Sequence, residues 1–187
     1  MRIVAGRHRG REIAAPPGLE IRPTSDRARE ALFNILEHGS FAAAGSPIAG
    51  RRVLDAFAGT GACGLEALSR GAAHASFMEL APAARQALEA NVRRLGEAER
   101  ATVLAVDATR PPIAPLPVAL AFLDPPYHSG AATKALAGLA ERGWLLPGAQ
   151  AVVEIGAREA FEATPGFEIE DERQYGAARL VFLRRTE

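Results

Sequence analysis

From residue 51 onward the chain alternates short apolar runs with stretches of helical periodicity. Consecutive parallel strands need long crossover connections, usually helices, so this alternation constrains the fold to an α/β sheet of mostly parallel strands. Val53–Phe57 is the first run; a glycine-rich turn and a helix to Ser69–Arg70 follow, stopped by Gly71. Ala75–Leu80 reads as the second strand. Pro82 at a first helical position opens a helix with Ala84, Leu88, Val92 and Leu95 on one face and Gly96 at its end. Thr102–Val106 and Val118–Leu123 read as the third and fourth strands, the latter almost wholly apolar, as a strand covered on both faces is. Ser129 to Arg142 reads as a helix and Ala151–Ile155 as a fifth strand. Phe167–Arg173 and Ala178–Leu183 form a closing antiparallel pair around Gln-Tyr-Gly. The expected architecture is a doubly wound, mostly parallel seven-stranded sheet with an antiparallel C-terminal strand.

Ahead of this unit, Ile3 to Ile21 mixes apolar pieces with Gly6, Gly10 and Ala-Pro-Pro-Gly at 15–18, which predicts a hairpin or an extended arm. Thr24, Ser25 and Asp26 offer an N-cap for a helix whose apolar stripe is Ala28, Leu32, Ile35 and Leu36, with Arg27, Glu30 and Asn34 on another face. The 187 residues therefore divide into a basic arm over 1–23 and one α/β domain over 24–187.

The formal net charge is zero, which argues against a general polyanion binder, yet it sums unlike parts. Residues 1–29 hold seven arginines against three acids, a local +4; residues 154–172 hold seven acids against Arg158, a local −6. The acidic stretch is expected on a face turned away from the arm. No apolar run reaches the roughly 18 residues of a membrane span, and the N-terminus has no apolar leader. A single cysteine, Cys63, excludes an internal disulfide and suits a reducing cytoplasm; it reads as a small packing residue rather than a nucleophile. His8, His38, His74 and His128 show no metal-ligand spacing, so no metal is expected.

In a Rossmann-like sheet ligands bind beyond the carboxyl ends of the strands, here residues 55–64, 79–80, 107–108 and 124–128. Asp55, Phe57, Gly59 and Gly61, with Glu79, Asp107 and Ala108, form the candidate cofactor set. The glycine loop matches G-x-G-x-x-G with Glu79 twenty residues after Gly59, the spacing of a dinucleotide site. A carboxylate at Asp55 repels a pyrophosphate but suits an ammonium or sulfonium group, which favours S-adenosylmethionine over NAD. Glu79 is placed for ribose hydroxyls and Asp107 for an adenine amine. Asp55 and Glu79 have the plainer alternative of a helix cap or an exposed strand end, and Asp107 that of capping a turn leading to Pro111.

After the fourth strand comes Asp124-Pro125-Pro126-Tyr127. Two prolines fix φ and remove two amide donors, leaving a rigid turn rich in acceptors. Such a turn suits an exocyclic amine, with Asp124 and the Pro125 carbonyl taking its two N–H bonds and Tyr127 stacking on the base. The remaining catalysis is orientation and electrostatics, with Asp124 positioned to receive a proton.

These residues resemble class I S-adenosylmethionine-dependent methyltransferases acting on exocyclic amines, and among them the bacterial 16S rRNA guanine-N2 methyltransferases of the RsmD type. Four blocks carry the likeness: Arg2-Ile3-Val4-Ala5-Gly6 with Arg9-Gly10-Arg11; Arg22-Pro23-Thr24-Ser25-Asp26-Arg27 on to Leu32-Phe33-Asn34; Asp55 to Ala72; and Leu123 to Tyr127. Thr60 and Cys63 depart from the family pattern without touching a role. The resemblance implies methyl transfer to guanine N2 in 16S rRNA or the small ribosomal subunit, by a cytoplasmic, membrane-free monomer. It also places Arg22, Thr24 and Asp26 near the methionine end of the cofactor. Arg2, Arg7, Arg9 and Arg11, a run without an acid, suit phosphate contacts, with Arg22 beside them. The competing expectations are an adenine-N6 methyltransferase, which shares the Asp-Pro-Pro-Tyr block, an NAD-linked oxidoreductase, and a non-catalytic RNA-binding assembly factor.

Overall fold

The computed structural model describes residues 1–16, 26–43 and 45–186. Arg22 and Thr24 lie outside them. The elements are α1 (Asp26–Glu37), β1 (Arg52–Ala56), α2 (Ala62–Ser69), β2 (His74–Met78), α3 (Pro82–Leu95), β3 (Ala101–Leu104), β4 (Val118–Leu123), α4 (Ala131–Glu141), β5 (Leu145–Gly156), β6 (Phe167–Tyr175) and β7 (Ala178–Arg185). The sheet runs β3-β2-β1-β4-β5-β7-β6. Strands β1 to β5 pair in parallel, and β7 is antiparallel to both β5 and β6. The chain moves outward from β1 to β3 and returns to β4 beside β1, in register from Val53↔Leu120 to Ala56↔Leu123. That reversal is the switch point of the sheet, where two loops diverge and leave a crevice.

Alternation along the strands separates two cores. Val53, Phe122 and Val152 pack with Phe33 and Leu36 of α1, Leu65 and Leu68 of α2, and Leu88 and Val92 of α3. Leu54, Leu123 and Val153 pack with Leu136 and Leu139 of α4 and with Trp144. The expected stops hold: Gly96 caps α3 at φ 73 and Pro82 sits in its first turn. Most strand and helix ends move by one or two residues from the expected ones, Glu79 falling just after β2 rather than in it, and two further shifts have a local cause. β3 ends at Leu104, so Asp107 stands in the following loop rather than at a strand end. β5 begins at Leu145, because the Pro147-Gly148 break is absorbed as an irregularity between the pairs Val118↔Leu145 and Leu120↔Gln150.

The N-terminal residues form a hairpin. Arg2 bridges Glu12, Ile3 N–H donates to Arg11 O at 2.9 Å, and Ile13 N–H to Met1 O at 2.9 Å. Ile3 and Ile13 are buried in the α1–α3 core. α2 supplies the dock. Buried Glu66 accepts Val4 N–H at 2.7 Å and Ala5 N–H at 3.0 Å, and also lies beside Arg29 and Arg70. At Gly6 (φ 78) a Cβ would lie 2.0 Å from the Ser69 carbonyl oxygen, so only glycine lets the hairpin approach so closely.

Several charges of the acidic stretch are engaged within the sheet. Glu154 points into the cleft side of the sheet, whereas Glu170, Asp171 and Glu172 of β6 are paired with Arg184, Arg173 and Arg179. An antiparallel pair brings β7 arginines beside β6 acids, a neutralisation that a linear charge sum misses.

Candidate active site

The glycine loop is built on backbone conformations that few residues tolerate. Phe57 has φ 63, Gly59 φ 54 and Gly61 φ 87. A Cβ on Gly61 would meet Leu88 at 2.3 Å and one on Gly64 would meet Phe77 at 2.2 Å, so these two glycines serve packing. Gly59 faces open space instead, which leaves its backbone accessible to a ligand. The loop is braced from three sides: Ala58 N–H donates to Met78 O at 3.0 Å, Gly59 N–H to Glu79 Oε2 at 2.7 Å, and Asn91 Nδ2 to Thr60 O at 3.1 Å. Asn91 also exchanges two hydrogen bonds with Ala14, tying the end of the hairpin to the loop.

Asp55 is 4% exposed and accepts Gly64 N–H at 2.8 Å, capping α2 from the end of β1. Burial, added to the nearby charges of Asp124 and Glu79, pushes its carboxyl up to about 8 despite that hydrogen bond. The cap and the cofactor roles are compatible: Oδ2 serves the helix, and Glu79 and Asp124 follow the ends of the two strands that flank β1. Glu79 similarly receives Gly59 N–H on one oxygen and Ala81 N–H at 2.7 Å on the other, and each oxygen retains a second lone pair. Asp107 accepts both Thr109 N–H at 2.8 Å and Thr109 Oγ1 at 2.7 Å on Oδ1; these bonds hold its carboxyl below the usual range. It thus closes a turn, with Ala108 buried behind it. Burial drives the Cys63 thiol well up, in keeping with packing rather than nucleophilic use.

Beyond β4, Asp124 is exposed, Pro125 buried and Tyr127 half-buried. Ser129 closes the turn by donating to Pro126 O at 2.5 Å and receiving Ala131 N–H at 3.2 Å at the start of α4. Tyr127 donates its hydroxyl to Glu154 Oε1 at 2.9 Å. Both residues line a cavity of about 700 Å³ walled further by Ala28, Gly156, Gln174 and Tyr175. The glycine loop and this turn stand at adjacent strand ends, with Ala56 of β1 paired to Leu123 of β4.

Arg2, Arg7, Arg9 and Arg11 are exposed on the hairpin, against α2 and α3. Arg11 reaches Arg94 O at 3.4 Å and Arg7 lies 4.0 Å from Glu97. Sequence reasoning missed Glu154, Glu66, Arg29 and Asn91. Glu154 alone left a signal, as the one charge in Ala151-Val152-Val153-Glu154-Ile155.

Residues 1–184 match the family described as conserved hypothetical protein 95. The chain is 37% identical to the ribosomal RNA small subunit methyltransferase D of Haemophilus influenzae, over 82% of this chain and 78% of the relative. It is 34% identical to that of Escherichia coli K12, over 88% and 79%. The solved structure of yhhF from Escherichia coli superposes with a TM-score of 0.83 at 34% identity, covering 100% of this chain and 98% of that one. An RNA methyltransferase from Salinibacter ruber, solved with S-adenosyl-L-homocysteine, shares the fold at a TM-score of 0.64 and 15% identity, over 88% and 94%. On a match spanning nearly its whole length, the chain belongs to the conserved hypothetical protein 95 family, the RsmD-type family of the class I S-adenosylmethionine-dependent methyltransferase fold.

Proposed function

We propose that this protein transfers the methyl group of S-adenosylmethionine to the exocyclic N2 of a guanine in small-subunit (16S) ribosomal RNA, acting as a cytoplasmic monomer. The observation that carries the reading is the pairing, at the switch point, of a glycine loop over a buried carboxylate with a donor-poor Asp-Pro-Pro-Tyr turn. The residues present fit the cofactor. Open space at Gly59 admits a nucleoside, Glu79 has lone pairs for ribose hydroxyls, and Asp55 at the end of β1 suits a cation. Phe57, Gly61, Asp107 and Ala108 complete this proposed cofactor site, and the family resemblance adds Thr24, which lies outside the described residues.

When bound, S-adenosylmethionine supplies a methyl carbon already activated by a sulfonium leaving group. The chain's own residues orient the acceptor. An aromatic amine is a weak nucleophile because its lone pair is delocalised; accepting both N–H bonds at Asp124 and the Pro125 carbonyl localises that pair toward the crevice. Asp124 takes the proton that the nitrogen loses. Tyr127 offers its ring to a base extruded from its stack, and Arg2, Arg7, Arg9, Arg11 and Arg22 hold the RNA phosphates.

The test replaces Asp124 with alanine. Transfer of labelled methyl to small ribosomal subunits lacking the modification is expected to drop at least about 100-fold, as expected when an oriented proton acceptor is lost. Calorimetric affinity for S-adenosylmethionine should stay within a few-fold. Unchanged turnover contradicts the role of Asp124.

A further inference from the structure

Glu154 is 7% exposed, in a strand whose neighbours are apolar. β4 and β5 run parallel with Leu123 paired to Val153, so the next residues on the two strands are Asp124 and Glu154. Alternation puts Glu154 on the same face as Val152, toward α1, where Ala28 lies across the cavity. Tyr127 spans the gap, its hydroxyl on Glu154 Oε1 at 2.9 Å. One carboxylate thus serves the proton-accepting turn and the other looks into the cavity that the Tyr127 ring walls. A carboxylate offers about four lone-pair directions, and the bond from Tyr127 uses one of them on Oε1.

We propose that Glu154 is the specificity-determining residue for the base, accepting the N1–H of a guanine whose C2 amine lies at Asp124 and Pro125. This rests on the guanine-N2 reading above. Guanine presents two adjacent donors on that edge, N1–H and the C2 amine, which match two neighbouring acceptor side chains. Adenine presents its amine beside a bare N1, whose lone pair faces the carboxylate and is repelled. A site built to receive a hydrogen bond rejects the analogue lacking it because a buried polar group is then left opposed.

The experiment compares guanine with 2-aminopurine at the methylated position of reconstituted small subunits. 2-Aminopurine keeps the C2 amine but has N1 as an acceptor. The wild-type protein is expected to prefer guanine by about 100-fold or more in kcat/KM. In Glu154→Gln the side-chain amide donates to N1 of the analogue, so the preference narrows to about tenfold or less while affinity for S-adenosylmethionine is unchanged. Tyr127→Phe removes the hydroxyl and leaves the carboxylate, so it lowers transfer to both bases by a common factor and keeps the preference. Because the preference is a ratio within each variant, a partly folded population cancels. A Glu154→Gln variant that keeps the wild-type ratio overturns the assignment and leaves the guanine-N2 reading standing. Failure of the wild-type protein to methylate guanine N2 overturns both.

Discussion

Replacing Glu66 with glutamine probes the dock that holds the N-terminal hairpin. Glu66 is fully buried on α2, takes Val4 N–H at 2.7 Å and Ala5 N–H at 3.0 Å, receives Arg70 Nε at 2.8 Å, and lies 3.7 Å from Arg29 Nε. Glutamine keeps the volume but removes the charge between two buried guanidiniums, and turns an NH2 toward a donor that the second carboxylate oxygen had satisfied. Arg70 retains Glu37 at 2.5 Å and the Phe33 ring at 4.8 Å, whereas Arg29 keeps the Arg2 carbonyl beside it. Breaking a buried pair from one side costs roughly 3–5 kcal/mol, and the partners kept by Arg70 favour the lower end. At about 2–4 °C per kcal/mol for a chain of this size, thermal unfolding should fall by about 10 °C. Amide exchange at Val4 and Ala5 should accelerate more than exchange in β1 or β4. RNA affinity should drop with the loosened arm, while cofactor affinity is kept because Asp55 and Glu79 are untouched. A melting temperature within about 2 °C of wild type, with Val4 and Ala5 still protected, refutes the dock.

The two kinds of glycine in the loop respond differently to alanine. Gly64→Ala drives a methyl into the Phe77 ring at 2.2 Å and should cost roughly 1–3 kcal/mol in denaturant unfolding. Gly59→Ala meets nothing and should cost only about 1–2 kcal/mol for its left-handed backbone, yet it should weaken cofactor binding at least about tenfold, measured by calorimetry. A Gly59→Ala protein with wild-type affinity contradicts the close approach of the ligand. Asp55 sets a pH dependence. Its folded pKa of about 8 lies above the usual 3.8, so the ligand-free fold holds a proton that the unfolded chain has lost between those values. Its contribution to stability is therefore full below about 3.8 and declines as pH rises toward 8. A cationic ligand favours the ionised form, so binding at pH 7 should release a proton and strengthen as pH rises to about 8. Calorimetry in buffers of different ionisation enthalpy reads the release; Asp55→Asn should lose it, and equal release in both proteins contradicts the assignment.

The parts of the molecule legible in its sequence are those written in local chemistry. Pro82 and Gly96 bound α3 because one lacks an N–H that the first turn does not need and the other accepts a left-handed φ. The crevice was legible because the glycine loop and the Asp-Pro-Pro-Tyr turn each follow a strand, and strand order alone makes them neighbours. Arg29 was not legible: helical spacing sets it beside the apolar stripe of α1, and its buried guanidinium meets Glu66, 37 positions along the chain, and the Arg2 carbonyl of the hairpin. Asn91 likewise reads as a polar break in α3 until Ala14 and Thr60 are brought to it from elsewhere. Asp107 shows the opposite limit. Its residue type suited both an adenine contact and a turn, and the local hydrogen bonds to Thr109 engage one of its oxygens in the turn.

The most direct test of the central claim is the identity of the methylated nucleoside. Small ribosomal subunits lacking the modification are incubated with the protein and labelled S-adenosylmethionine, and the RNA is digested and resolved by mass spectrometry. The account predicts a single labelled nucleoside, N2-methylguanosine, dependent on Asp124. Label in N6-methyladenosine, or no label in ribosomal RNA from a protein that binds S-adenosylmethionine, contradicts it.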